Sequence, residues 1–427
     1  MVRRCARFFI EKIKNKLNSQ RFMIDNRVSN SDFTRKRKLP FTSVVCFLLN
    51  SVKQTLQKEL TSFINIISNY ENVSKSAFCQ QRVKLKPEAF IELNELLIDE
   101  FYTDNEYETW ESFRLLGIDG STLELPRSED ILATFGSDNN VGNIPMSRIS
   151  TFYDLLNTLI VDSKIVPYDN DELTVALEHL KKVQKKDLIL YDRGYGAMWL
   201  FFYMTLNKIN YVVRLKNNFS IQTEDFVKSN ENSRIIEIKD CSTKSKNRLK
   251  KLNLSFQPFK LRLIKVPLDS NEIEILATSL LDEEKYSHKI FKELYFKRWG
   301  IEVNYDHLKN HIEIGNFTGL SSTVIKQDFY ANALIANIQS IIIRDAQEEL
   351  KKEKKDTEYE YKINKNLSLS YMKNRLIQIL TSNNPEYLEE LKKLFKIEPV
   401  PIRPNRKFSR KENLPNKKFY INKKSAV

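Results

Sequence analysis

Glycine and proline are scarce in this 427-residue chain, at 9 and 12 residues, which excludes collagen-like and low-complexity architectures. The four cysteines, Cys5, Cys46, Cys79 and Cys241, are scattered. They form neither a C-x-x-C metal pattern nor a disulfide framework, and reduced thiols in a cytoplasmic protein fit best. No run reaches the roughly 18 apolar residues that a bilayer span requires, and the longest candidate, 41–49, is broken by Thr42 and Ser43. A buried helix is expected there, and no membrane partner. The segment MVRRCARFFIEKIKNKL has no uninterrupted apolar stretch, so it does not read as a signal peptide.

What is present is a large apolar complement: 41% hydrophobic and 11% aromatic residues, in a chain longer than one ordinary core. About two or three domains are therefore expected. The net charge of +14 is unevenly spread, with +10 in residues 1–60 and +8 in residues 396–427, leaving −4 in the body between them. Basic ends of this kind suit a polyanion, since each cation placed on a phosphate releases condensed counterions. The plain alternative is a pair of solvated tails. The run Arg35-Lys36-Arg37-Lys38 and the segment RPNRKFSRK favour the polyanion.

Helical spacing of Leu56, Leu60 and Phe63 predicts a helical N-terminal region. A second helix is expected from Pro87 to about Tyr102, with proline and acids in its first turn, where both suit a helix start. Strands are predicted at Phe113–Ile118 and Thr122–Leu125, on either side of Asp119-Gly120, then at Ile149–Leu156 and Leu159–Val166 as a meander. Asp171–Val183 reads as an amphipathic helix, and Leu188–Tyr191 as a strand buried on both faces. A helix at Ala197–Leu206 and a strand at Tyr211–Leu215 complete an alternation that implies an α/β fold, a mixed sheet covered by helices. Residues 216–283 interrupt it with polar sequence and return strands at Leu261–Val266 and Ile273–Leu280. Helices dominate from Tyr286, and periodicity ends after Pro399.

The chemistry concentrates in Tyr295, Arg298, Glu302 and Lys309. At helical spacing these four share one narrow face, beside an apolar stripe of Leu294, Ile301, Tyr305, Leu308 and Ile312. Taken alone, Arg298 and Glu302 are an ordinary i, i+4 surface pair, and Gly300 weakens the helix by about 1 kcal/mol relative to alanine. Asp119 follows the apolar RLLGI, and Asp192 ends LILYD. Singly, Asp119-Gly120 reads as a turn pair and Asp192 as a helix cap. Together with Glu302 they form a set of hard oxygen donors suited to Mg²⁺. Two such ions would activate the nucleophile and stabilise the leaving oxygen of a phosphodiester. His307 and His311 lack the H-E-x-x-H pattern and read as surface or DNA-facing residues. Cys241 among Lys244, Lys246, Arg248, Lys250 and Lys251 reads as a free thiol in a basic loop that either touches DNA or keeps itself soluble.

These residues resemble the DDE transposases of the insertion-sequence-four group, relatives of the Tn-five transposase, whose signature Y-x2-R-x3-E-x6-K is matched by Tyr295, Arg298, Glu302 and Lys309. GIDGSTLELP and LILYDRGYGAMWLF resemble the segments that hold the group's first two acids, here Asp119 and Asp192. The resemblance implies a ribonuclease-H-like catalytic domain (71–215 with 284–345), a β-rich insertion (216–283), a helical basic DNA-binding region (1–70) and a C-terminal helical region with a basic tail (346–427). It implies cut-and-paste transposition through a hairpin intermediate, with Asp119, Asp192 and Glu302 as ligands of two Mg²⁺ or Mn²⁺ ions. Tyr295, Arg298 and Lys309 would hold the DNA end, and Trp299 would stack on an unpaired base or pack into the core. Double-stranded DNA, as terminal inverted repeats and target, and a homodimer are the implied partners, in the cytoplasm at the nucleoid. Some members add an insertion tryptophan, but the tryptophans here are Trp110, Trp199 and Trp299, outside that segment. A nuclease without strand transfer, and a non-catalytic DNA-binding derivative, remain the alternatives.

Overall fold

The computed structural model describes residues 4–403 except 36, 51–53, 68–72, 105, 139–141, 269–271 and 355–356. The basic segment beyond 403 and Lys36 lie outside the described residues. Helices α1 (Ala6–Leu17), α2 (Gln20–Asn26), α3 (Phe41–Leu48), α4 (Leu56–Ile67), α5 (Lys75–Arg82) and α6 (Glu88–Tyr102) precede the first strand of the sheet. The apolar run noted at 41–49 is α3, and Phe41, Val44, Val45, Cys46, Phe47 and Leu48 are all buried in it.

The sheet then begins with β1 (Arg114–Glu124), α7 (Glu129–Phe135), β2 (Ser137–Asp138), β3 (Ile144–Asp154) and β4 (Leu159–Pro167). Helix α8 (Glu172–Leu180), β5 (Asp187–Tyr191), α9 (Met198–Leu206) and β6 (Asn210–Leu215) follow. Strands β4, β3 and β1 pair antiparallel, and β1, β5 and β6 pair parallel. Three antiparallel strands followed by two parallel ones, in the spatial order β4-β3-β1-β5-β6, is the ribonuclease-H-like arrangement. Every residue of β5 is buried, as befits a central parallel strand covered on both faces. Leu188 and Leu190 pack into one core, while Ile189 and Tyr191 pack into the other.

One expectation is corrected. Asp119-Gly120 is not a turn between two strands, because β1 runs unbroken through it, paired residue by residue with β3 from Leu116 opposite Asp154 to Glu124 opposite Met146. A continuous partner strand satisfies the backbone groups that a turn would otherwise close locally.

Between 216 and 283 come α10 (Ile221–Lys228), β7 (Ser233–Ile238), α11 (Thr243–Lys251), β8 (Phe259–Pro267) and β9 (Ile273–Thr278). These strands extend the same sheet, because β9 pairs antiparallel with β6, β8 with β9, and β7 with β8. The signature segment follows as α12 (Phe291–Phe296), α13 (Trp299–Asp306) and a π turn at His307–His311. The 32-residue α14 (Ser322–Glu353) then packs on α6 and β4. Helices α15 (Lys365–Met372), α16 (Arg375–Thr381) and α17 (Glu386–Phe395) and the small pair β10 (Glu360–Lys362) and β11 (Val400–Ile402) complete the described chain.

Candidate active site

The β1–β5 register matches Gly117 with Leu190. Two residues further on stand Asp119, within β1, and Asp192, the residue just after β5. Neighbouring strands lie about 4.8 Å apart, and the two acids are near enough for the charge of Asp192 to raise the Asp119 pKa. Asp119 Oδ1 accepts from the Gly120 backbone N–H at 2.8 Å, and Asp192 Oδ1 accepts from Gly194 N–H at 2.8 Å as it caps the short turn Arg193–Tyr195. Burial, then the charges of Asp192 and Glu172, push the Asp119 carboxyl up to about 7, against the opposing pull of Gly120 N–H and Arg298. Asp119 is therefore a half-buried acid whose charged form is disfavoured, an oxygen donor that a hard cation satisfies.

The signature helix lies over this pair, and two glycines let it approach. A Cβ at Gly117 would stand 3.6 Å from the Ile301 side chain, and one at Gly300 would stand 3.2 Å from that of Leu155. Two tyrosines fix it there: Tyr295 donates to the carbonyl of Tyr191 at 3.1 Å, and Tyr305 to the carbonyl of Asp119 at 2.7 Å. The segment is not one regular helix, however. It tightens at Lys297 and Arg298, whose N–H groups bond three residues back, and widens at the π turn, where Ile312 N–H reaches His307. π turns recur at functional sites. His307 is also not a surface residue: it is 3% exposed, and its Nε2 meets Gln339 Oε1 of α14 at 2.8 Å.

Of the sequence-predicted residues, Asp119, Asp192, Arg298 and Lys309 come together. Lys309 Nζ donates to Ser121 Oγ at 2.5 Å, two residues along β1 from Asp119 and on the same face. Burial lowers the Lys309 pKa, and Asp119 partly restores it. Arg298 is 8% exposed and donates to Glu302 Oε1 at 2.8 Å, while its Nε has no partner. Glu302 thus faces Arg298, and among the described residues no three His, Cys, Asp or Glu side chains are grouped to hold a metal ion. Tyr295 is buried with its hydroxyl engaged on β5. Trp299 is 40% exposed beside Arg298, whose guanidinium lies 5.4 Å from its ring.

The sequence reading missed what lies on the opposite face of β1. Glu172 of α8 fills the space over Gly120, accepts from the Tyr195 hydroxyl at 3.1 Å and pairs with Arg148 at 3.7 Å. Beneath Asp119, buried His179 joins Asp162 (Nδ1 to Oδ2, 2.8 Å) and Ser150 (Nε2 to Oγ, 3.0 Å). Ser150 Oγ in turn lies 3.3 Å from the Asp119 carbonyl. Burial lowers the His179 pKa, so the neutral ring donates from Nδ1 to Asp162, and the single Ser150 proton is shared between His179 Nε2 and the Asp119 carbonyl. Ser150 and His179 are 0% exposed, which makes this array a support for β1 rather than a nucleophile. Strand alternation alone would have flagged Ser121, but no local pattern announces Glu172 or His179.

The family model for the transposase DDE domain matches residues 110–338. A curated relative, the transposase InsG of insertion sequence element IS4 from Escherichia coli strain K12, is 23% identical over 315 residues, covering 71% of this chain and 70% of the relative. Among solved structures, a piggyBac transposase synaptic complex with hairpin DNA aligns over 93% of this chain and 84% of its own at 11% identity, with a TM-score of 0.41.

Proposed function

The chain belongs to the transposase DDE-domain family, and from that premise we propose that Asp119, Asp192 and Glu302 form the cleavage centre of a DNA transposase that excises an element at its ends and joins it to target DNA. The observation that carries this reading is the meeting of Asp119, within β1, and Asp192, just after the adjacent parallel strand β5, near Arg298 of the signature segment. Family membership brings a dependence on divalent metal. The donors fit it: two neighbouring carboxylates, one with its pKa raised to about 7 by burial and repulsion, and a third on the facing helix. We assign the metal as two Mg²⁺ ions, with Mn²⁺ as substitute, held by these three acids once Glu302 exchanges Arg298 for the site. When bound, such ions activate the attacking water or 3′-hydroxyl and stabilise the departing oxygen.

The protein's own groups do the positioning. Tyr295 and Tyr305 pin the helix to the carbonyls of Tyr191 and Asp119, so that small changes in helix position are resisted at both acids. Lys309, anchored on Ser121, and Arg298 present cations where non-bridging phosphate oxygens would lie. The exposed Trp299 offers a face to an unpaired base. The DNA is double-stranded, as terminal inverted repeats and target, with residues 1–70 as a further DNA-binding region. Two ends held together call for a homodimer, and a hairpin intermediate fits excision by a single centre. No helix among the described residues is long and apolar enough to cross a membrane, and we place the protein in the cytoplasm at the nucleoid.

The test is cleavage of a DNA carrying the element's end, with Mg²⁺ or Mn²⁺, by wild-type protein and Asp119→Ala. Disturbing even an outer-shell partner of a metal costs about 10–100-fold, so D119A should lose more than that in rate while still binding the end. Equal cleavage by the variant would end the assignment. Supplying a pre-cleaved 3′ end with a target plasmid separates transposase from nuclease, since joined product arises only from the former.

A further inference from the structure

Outside the acidic centre, a cleft of about 1000 Å³ lies between α11 and the start of α8. Its floor is formed by Gly196 to Trp199, the continuation of the loop that Asp192 opens, and by Phe219. Leu173, next to Glu172, lines the opposite wall. Two segments thus lead from the cleft towards the acidic centre: Gly196 is four residues after Asp192, and Leu173 follows Glu172, whose charge acts on Asp119.

The charges on its walls do not cancel. Arg248 spans the cleft, donating to Asp171 Oδ2 at 3.0 Å and to Thr174 Oγ1, with its guanidinium 5.2 Å from the Trp199 ring. Asp171 thereby neutralises Arg248, and Asp240 is paired with Lys246 at 2.7 Å. Lys244 and Lys251 line the same wall, and among the described residues neither has an ion-pair partner. Helix α11 contains no acidic residue. The two lysines are seven residues apart, so they share one face of the helix about 10.5 Å apart along its axis. The first turns of α8, α9, α10 and α11 also open at the cleft, adding partial positive charge to the same space.

We infer that this cleft binds a single DNA strand continuous with the one held at Asp119 and Asp192, with its phosphates on Lys244 and Lys251 and its sugars and bases against Met198 and Phe219. The inference rests on the transposase reading and adds to it a path for the strand. An apolar floor with cations on one wall is the composition of a single-strand groove. Its volume, at the upper end of the range for small-ligand pockets of about 300–1000 Å³, suits a few nucleotides of one strand and is too small for a duplex.

The test is binding alone, with the full chain in EDTA so that no cleavage intervenes. Fluorescence anisotropy of a labelled oligothymidylate and of a duplex of equal length is followed over a salt series for wild type, Lys244→Ala/Lys251→Ala and a control pair, Lys250→Ala/Lys260→Ala. The control removes the same charge from exposed positions outside the cleft. Each phosphate contact to a single strand contributes about 0.7 to the slope of log K against log salt. Losing two should flatten the single-strand slope by about 1.4, with the control unchanged and the duplex less affected. An unchanged slope, an equal drop in the control pair, or an equal effect on the duplex would overturn the proposal. Failure of wild-type protein to cleave or join an element's end is scored separately, and would count against the transposase reading instead.

Discussion

The sheet buries an arginine in each of its halves, and the two are satisfied in different ways. In the ribonuclease-H-like half, Arg114 of β1 meets Asp187 of β5 through two parallel bonds of 2.7 Å, with both side chains no more than 2% exposed. In the extension, Arg262 of β8 is 1% exposed but spreads its donors over the Tyr286 carbonyl at 2.6 Å, Ser233 Oγ at 2.7 Å and the Leu280 carbonyl at 3.5 Å. Its acidic partner, Glu283 at 3.2 Å, is half exposed. The first arrangement locks two strands in register through one geometry, and those strands carry Asp119 and lead into Asp192. The second has several weaker partners and tolerates the loss of one. Precision is concentrated where two acids must stay side by side, and adaptability where the sheet carries the basic helix α11.

Removing Asp187 should break the first arrangement. Asp187→Ala leaves Arg114 buried with the Tyr102 ring, 4.3 Å away, as its nearest compensation. Stranding one partner of a buried pair costs about 3–5 kcal/mol, and thermal unfolding of the variant should show a loss of that size. Cleavage should fall with it, because the register beneath the two acids loosens. A loss below about 1 kcal/mol would show that the pair does not fix the strands.

How much of this was legible in sequence follows the same division. Asp119 and Asp192 announce themselves because a buried strand must be apolar, and a charge straight after the apolar RLLGI or LILY stands out. The Arg298–Glu302 pair is local, an i, i+4 spacing that survives into the structure as a 2.8 Å bond. The break in the signature helix was half legible: Gly300 marks the weak point in sequence, whereas the π turn, where Gln339 of α14 meets His307, depends on a residue distant in sequence. Glu172 was hidden for a related reason: only the return of α8 across β1 brings it over Gly120. Asp119-Gly120 misled outright, because a turn pair means nothing once a partner strand has claimed its backbone.

The π turn extends the comparison to pH. Burial, followed by the nearby Lys365, lowers the His307 pKa from 6.5 to about 3, despite the Gln339 hydrogen bond and Asp306. The folded protein thus keeps His307 neutral while the unfolded chain takes up a proton as pH falls through 6.5. Stability from this residue is complete above pH 6.5 and declines as pH falls towards 3. Between pH 6.5 and 5 the expected loss is about 2 kcal/mol at 1.36 kcal/mol per unit. His307→Gln, which cannot titrate, should remove that part of the slope when melting is followed across the range. An identical slope in the variant would place the acid sensitivity elsewhere. The extension half, whose nearest histidine in sequence is His288 just beyond β9, should contribute no comparable slope.

The smallest effect is expected in the second arginine's surroundings, and it is the one that decides whether the halves really differ. Glu283→Ala removes the only carboxylate within 4 Å of Arg262 among the described residues, yet the guanidinium keeps Ser233, two backbone carbonyls and the Phe291 ring at 5.6 Å. A half-exposed acid contributes little because water screens it and holding it in place costs entropy, so the expected loss is below about 1 kcal/mol. Glu283 also accepts from Ser233 Oγ, and that hydroxyl proton is freed to donate to solvent while its oxygen goes on accepting from Arg262 Nε. If E283A instead cost as much as D187A, Arg262 would depend on its acid as Arg114 does. The extension would then be as tightly specified as the strands that carry the acidic pair.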